Sequence, residues 1–493
     1  MIYNFNLGIG WASSGVEYAQ IYRTRMFRNI GVDAKFVFTD MFPSENMEHM
    51  TKNIGFLDSE VIWLYMFFTD FKTAPVTYTL SDLEKTFSNM EYTKSREGKI
   101  CRYVFGGSNN FYTAYMVNDH DDFVHRVEMV SNGFLIRKDY FTYGRVYSEY
   151  YAPLDNKAHL YHRRFFNENG SVAYEEIIDD DRVMYKFKDK ILCSKEEFVG
   201  YMVSKLNLAS DDVVLIDRST DIGQSILMNC KPARVGTVVH ADHFSEKDTN
   251  DDYILWNNYY EYEFNMHKHI DFYICSTQAQ SDLMVQQFEK YYGVTPCVYT
   301  IPVGSLPELK YPSSTRKPYS LITASRLAGE KHVDWICKAV IQARSEVPEL
   351  SLDIYGVGGE REKLETIIRD NNASDYIHLM GQHDLSEVYQ NYEAYIAGST
   401  SEGFGLTLME AVGGGLPIIG FDVRYGNPTF IRNGENGYLI SLPEEDKERI
   451  EALRKGIVDL FKQDLEKCHS VSYEVAKDFL TCNVQEKWRE AVC

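Results

Sequence analysis

The chain has 493 residues, 44% hydrophobic and 25% charged, an ordinary globular composition with length for two or three domains. Its 72 acidic against 51 basic residues leave a formal charge of −21, which argues against nucleic acid and other polyanions as partners while still permitting one local basic pocket. Nine scattered cysteines without a Cys-x-x-Cys pair indicate reduced thiols and no structural zinc site; no apolar run nears the ~20 residues of a membrane span, and MIYNFNLGIG lacks a signal-peptide pattern, so a cytoplasmic location is expected.

Residues 2–38 read as strand, glycine loop, helix and strand. Ile2 to Leu7 is followed by GIGWASSG, then by an apolar stripe of Val16, Ala19, Tyr22, Met26, Phe27 and Ile30, a stop at Gly31, and Ala34 to Phe38. Ser13 stands where a dinucleotide fingerprint needs its third glycine and no Gly-Lys-Ser/Thr follows, which excludes NAD and P-loop readings. A narrower expectation remains, that Ser14, Gly15 and the amides after them approach a phosphate.

Residues 61–190 hold 27 aromatics in 130 positions, 21% against 14% overall, in short alternating runs such as TAYMVND, GFLIRKDYF and HLYHRRFF. Gly106-Gly107, Asn132-Gly133 and Asn169-Gly170 punctuate them, so the segment is expected to be an antiparallel β-meander inserted in an α/β domain. Asp119-His120-Asp121 and Asp179 to Asp181 match the acidic triplet many transferases use for manganese, but beside turn residues they read as solvated loops, and no metal site is expected.

From Asp212 the α/β domain resumes in VVLIDR, RVGTVVH and IDFYICST, continuous apolar runs of the kind buried parallel strands need. His240 closes one of these runs and His243 follows. At least one imidazole should project from the strand's carboxyl edge, and without a third ligand the pair is read as sugar-binding or charge-stabilising, with His240 preferred, rather than as a metal site.

After IPVGS a second series begins, SLITASR, SLDIYG, YIHLMG, EAYIAG and LPIIGFD, with amphipathic helices between. The fold class is therefore α/β, two doubly wound, Rossmann-like domains facing each other with an inserted β-meander. The boundaries are residues 1–60 plus 191–300 for the first domain, 61–190 for the insert and 301–493 for the second, the last helix crossing back to the first.

The second domain carries the chemistry. In SEGFGLTLMEAVGGGLP, Glu402 and Glu410 flank a glycine-rich turn into a helix; Gly403 and Gly405 allow close backbone approach, and the helix start offers free amides and the positive end of a dipole to an anion. One acid can reach sugar hydroxyls and the other a ribose. Arg326 follows an apolar strand and Lys331 lies five residues on, at the carboxyl edge where doubly wound sheets bind ligands, and the two are expected to clamp a diphosphate.

These residues resemble the retaining glycosyltransferases of GT-B fold, family 4 type, and within them the catalytic A-subunit (GtfA) family of the accessory-Sec O-linked glycosyltransferases that modify serine-rich repeat adhesins of Gram-positive bacteria. ASRLAGEK, IYGVGGEREKL, HLMGQHDL, SEGFGLTLMEAVGGGLPIIG and YGNPTFIRNGENGYLI fall in the family's order, and the aromatic insert narrows it to the subgroup. The resemblance implies that Arg326 and Lys331 hold the diphosphate, Glu402 the donor sugar, Glu410 the ribose, and the amides of Gly403, Phe404, Gly405 and Leu406 sugar and phosphate. Met380 to His383, with Gln382 and His383 foremost, would pair with a uracil edge, and His240 would sit near the sugar. Broader relatives often carry a glycine where Ser14 stands.

By the same resemblance the donor is UDP-N-acetylglucosamine, no cofactor or metal is needed, and the acceptor is a Ser/Thr hydroxyl of a serine-rich repeat polypeptide. A homologous non-catalytic, GtfB-like subunit would dock on 61–190, with peripheral association at the inner membrane face left open. Alternatives are UDP-glucose as donor, transfer to wall teichoic acid, or a non-catalytic acceptor-binding subunit.

Overall fold

The computed structural model describes residues 1–9, 15–43 and 45–493, and the chain divides into two compact units. One comprises Met1–Thr24, Val32–Thr237 and Asn258–Asp271, the other Arg25–Gly31, Val238–Asn257 and Phe272–Cys493.

In the first unit, parallel strands stand in the order Arg234–Val239, Val213–Ile216, Ile2–Asn6, Ala34–Phe38, Val61–Trp63. Phe5, Phe36, Val37, Phe38, Val214 and Leu215 are wholly buried, as strands covered on both faces must be. Several polar side chains that enter this core pair with one another. Arg23 Nη2 and Nη1 donate to the two Asp217 oxygens at 2.7 and 2.9 Å, and Gln20 Nε2 donates to the same carboxylate at 2.8 Å.

The inserted sheet is ten-stranded and antiparallel and runs in sequence order from Thr93–Glu97 to Ile191–Leu192, so it differs from the expected 61–190 at both ends: Val61–Trp63 pairs in register with Phe36–Phe38 of the parallel sheet, and Ile191–Leu192 pairs with Tyr185 and Lys186. Asn132 and Gly133, at φ 51° and 83°, join strands Val124–Ser131 and Phe134–Phe141 in the primed turn that the sheet's twist favours. One register row crosses all ten strands: Ser95, Arg102, Thr113, Glu128, Lys138, Glu149, Arg163, Glu176, Tyr185 and Leu192. Its charges alternate and pair, Lys138 with Glu128 at 3.2 Å and Arg163 with Glu149 and Glu176 at 2.9 and 2.8 Å.

On the same face Tyr140, Tyr147, Phe165 and Tyr174 stack in turn at 4.3, 5.5 and 4.5 Å, and Tyr185 lies 4.1 Å from Phe198 of helix Lys195–Lys205. The aromatic excess is thus largely the root of the sheet. The other face is covered toward its first edge by Leu80, Leu83 and Phe87 packing on Cys101, Ala114 and Val127.

The second unit holds a six-stranded parallel sheet in the order Ile377–Gly381, Ser351–Tyr355, Ser320–Ala324, Ala394–Ile396, Ile418–Phe421, Gly437–Ile440. Helices Val333–Ala343, Arg361–Asp370 and Asp446–Leu460 cover one face, Leu406–Gly413 and Leu465–Lys477 the other, so the sheet is doubly wound as expected. In the last helix, Thr481–Val492, Trp488 meets Phe27 edge-on at 5.3 Å. Among the described residues, no helix is long and apolar enough to cross a membrane.

Candidate active site

The turn between strand Ala394–Ile396 and helix Leu406–Gly413 is fixed by glycine. Gly405 takes φ 88°, and a Cβ there would lie 2.6 Å from Leu408 Cδ1 and 3.2 Å from Glu402 Cγ. No side chain caps this helix, which leaves its first amides for a ligand or water. Glu402 itself is held by backbone: its N–H donates to the Arg424 carbonyl at 3.0 Å, and its carbonyl accepts from Tyr425 and Gly426 at 2.5 and 2.7 Å.

Lys331 reaches this carboxylate from a different strand end. Its turn, Gly329–Lys331, follows Ser320–Ala324 and can approach because a Cβ on Gly398 would meet the His332 and Lys331 carbonyls at 2.8 and 3.0 Å. Lys331 Nζ donates to Glu402 Oε2 at 2.6 Å, with the lysine and glutamate side chains 18% and 20% exposed. A cation, a carboxylate and an uncapped helix start therefore share one partly solvated spot, which suits a ligand bearing both anionic and hydroxyl groups.

Arg326 does not join that pair. It is 79% exposed and lies 3.1 Å from Glu330, an exposed i,i+4 contact of a kind worth at most ~1 kcal/mol, so its guanidinium can exchange that carboxylate for another anion at little cost. The sequence placed Arg326 and Lys331 in one clamp; the structure gives them separate acids. Glu410, on the helix, accepts from the Tyr389 hydroxyl at 3.0 Å. Burial raises its pKa, the Tyr389 donor opposes that, and Asp384 adds to it.

Phe404 buries its ring against Phe430 and Phe479, and the Leu406 side chain turns toward Gly304, so both can meet a ligand only through backbone. Gln382 and His383 are exposed beyond Ile377–Gly381, and His383 Nε2 donates to the Met380 carbonyl at 2.8 Å. Gly15 opens helix Gly15–Ile30 in the first unit, and Ser14 lies outside the described residues.

The two histidines part company. His243 is completely buried, with Nε2 2.7 Å from Gln287 Oε1 and Nδ1 3.3 Å from the Tyr425 hydroxyl, and burial holds its pKa down to about 4. It is a neutral structural group with both nitrogens engaged. His240 is half-buried after strand Arg234–Val239, its carbonyl 3.7 Å from the point a Gly403 Cβ would occupy.

Among the described residues, no three His, Cys, Asp or Glu side chains are grouped as a metal site. The Asp121 carboxylate accepts from Phe123 N and Asn118 Nδ2 within its own turn, and Asp179 pairs with Arg182 across a hairpin. Sequence reasoning passed over Tyr389 and Tyr425. Tyr425 had a signal, the run YGNPTF, quoted without a role; Tyr389 had none, since only the fold brings it to Glu410.

The family of glycosyl transferases group 1 matches residues 310–478, and the GtfA extended beta-sheet domain matches residues 93–189. The chain is 52% identical over 492 residues to the UDP-N-acetylglucosamine–peptide N-acetylglucosaminyltransferase GtfA subunit of Streptococcus agalactiae, covering 99% of this chain and 97% of that one. Among solved structures it is similar to the GtfA/B complex, with TM-score 0.96, 51% identity and coverage of 100% and 99% of the two chains. It is also similar to the pneumococcal O-GlcNAc transferase GtfA in complex with UDP and GlcNAc, with TM-score 0.86, 50% identity and coverage of 100% and 98%. With the parallel sheets, the inserted antiparallel sheet and the Lys331–Glu402 turn in place, this chain belongs to the GtfA-subunit family of GT-B glycosyltransferases.

Proposed function

We propose that the chain transfers N-acetylglucosamine from UDP-N-acetylglucosamine to serine and threonine hydroxyls of a serine-rich polypeptide. Transfer retains the anomeric configuration and proceeds with a homologous non-catalytic subunit docked on the extended sheet. The observation that carries this reading is the 2.6 Å contact of Lys331 with Glu402 at an uncapped helix start, in a chain similar over its whole length to GtfA subunits.

Glu402 accepts from donor sugar hydroxyls, and Glu410 with its Tyr389 partner takes the ribose. Lys331, Arg326 and the amides opening Leu406–Gly413 face the diphosphate. As the C1–O bond to UDP breaks, negative charge grows on the leaving phosphate, where fixed cations and amides lower the barrier most. The acceptor oxygen bonds C1 from the same side and passes its proton to the departing phosphate oxygen, so no protein base is required. His240 stands by the sugar. No metal takes part, and the work is done in the cytoplasm, at the inner membrane face when the complex is held there.

Intact-mass analysis of a serine-rich peptide with the chain, partner subunit and UDP-N-acetylglucosamine should show hexosamine steps, and proton NMR of the product an α linkage. Hexose steps with UDP-glucose instead would change the donor, and a β linkage would refute retention.

A further inference from the structure

The segment that fixes Glu402 is itself fastened at a second level. Tyr425, whose N–H holds the Glu402 carbonyl at 2.5 Å, sends its side chain inward, where it is 1% exposed and its hydroxyl lies 3.3 Å from His243 Nδ1. His243 is in turn held at Nε2 by Gln287 of helix Gln278–Tyr292, and its loop by Gln280 Nε2 donating to the Ala241 carbonyl and Asn257 Nδ2 to the Asp242 carbonyl, both at 2.8 Å. Since His243 is neutral and the Gln287 contact takes its Nε2–H, Nδ1 can accept from the tyrosine hydroxyl, which also faces the Asp242 carboxylate on the same loop.

One residue earlier, Arg424 braces the same junction from outside, 2.5 Å from Glu246 and 4.8 Å over the Phe244 ring. Gly426, one residue later, tolerates no Cβ, which would lie 2.3 Å from the Phe404 carbonyl and 2.8 Å from Glu402 Cγ. Arg424 and Tyr425 thus tie Glu402 to the loop that begins at His240, and Gly426 lets the chain close on Glu402 itself.

We infer that Tyr425 and His243 form a latch that sets the Glu402 carboxylate beside Lys331 and against the His240 loop, making them positioning residues for sugar transfer. This rests on Glu402 meeting the donor sugar. Neither side chain touches substrate. The latch fixes the distance between the Glu402 turn and the His240 loop, and displacement of a reacting group by about 1 Å costs ~10²-fold in rate.

The test is a cycle of Tyr425→Phe, Glu402→Gln and the double variant in the complex, scored by initial rates of peptide glycosylation and by UDP binding stoichiometry and affinity. Tyr425→Phe removes one oxygen and keeps the ring, so one UDP per chain should bind with affinity within twofold of the parent. The expected kcat falls by about 10- to 10²-fold with KM for the donor little changed. Because Tyr425 acts through Glu402, adding Tyr425→Phe to Glu402→Gln should cost no further rate. The latch is overturned by a Tyr425→Phe kcat within twofold of the parent, by multiplicative losses in the double variant, or by a kcat loss matched by lost UDP-binding stoichiometry. Arg424→Gln, which breaks only the outer brace, supplies the same readouts if Tyr425→Phe misfolds. A Glu402→Gln enzyme of normal rate would instead remove the assignment of Glu402, and the latch with it.

Discussion

Replacing Arg163 by methionine should be among the most damaging single changes in the extended sheet, and its cost should depend on pH. Arg163 joins Glu149 and Glu176 at 2.9 and 2.8 Å, with both glutamate side chains 3% exposed. Its removal leaves two carboxylates out of water on one face, two strands apart or ~10 Å, with no cation between them. Glu149 keeps the Tyr140 and Tyr151 hydroxyls at 2.8 and 2.6 Å, which soften the loss without supplying charge. Stranding a buried charge in this way costs about 3–5 kcal/mol, and at ~2–4 °C per kcal/mol the first unit should melt roughly 6–20 °C lower. Buried carboxylates without a cation destabilise the fold only while ionised, so the penalty is absent at a pH low enough to protonate them and grows as pH rises. Calorimetry of the full chain should show a larger deficit at pH 8.5 than at pH 6, and adding Glu149→Gln and Glu176→Gln should restore most of it. A deficit under about 1 °C, or one independent of pH, would refute the reasoning.

Lys331→Ala should lower peptide glycosylation by ~10²- to 10³-fold with melting unchanged within 2 °C, read by initial rates and calorimetry. Gly405→Ala should cost about 1–3 kcal/mol, since φ is 88° and the new Cβ would press on Leu408 Cδ1 from 2.6 Å; an unchanged melting temperature would contradict this. Burial raises Glu263 to about 7, so folding loses up to ~3 kcal/mol from this group as pH climbs from ~4.5 through 7; Glu263→Gln should gain in relative stability between pH 6 and 8.5, and a constant difference would count against it.

The architecture was legible because parallel strands buried on both faces must be continuous apolar runs: VVLIDR and IDFYICST became Val213–Ile216 and Phe272–Cys275. Asn132-Gly133 announced its hairpin through the positive φ that glycine and asparagine tolerate, whereas Asp155-Asn156, at φ 50° and 59°, makes a similar turn without a glycine to mark it. The Glu402 turn was readable from local spacing, and the strand edge carrying Lys331 from its apolar run, but their contact spans 71 residues and exists only once Gly398 lets two strand ends converge. The His243–Tyr425 contact spans 182 residues, and no periodicity reports it. The charge ladder through Glu149, Arg163 and Glu176 was hidden for a related reason, since strand register decides which charges meet.

The most direct test is intact-mass analysis of a serine-rich peptide incubated with UDP-N-acetylglucosamine, the partner subunit, and either the parent chain or its Glu402→Gln variant, both shown by calorimetry to be folded and to bind UDP. Hexosamine addition by the parent and a loss of ~10²-fold or more in the variant is the expected result; equal addition by both, or none by the parent, would contradict the assignment of transfer to the Lys331–Glu402 turn.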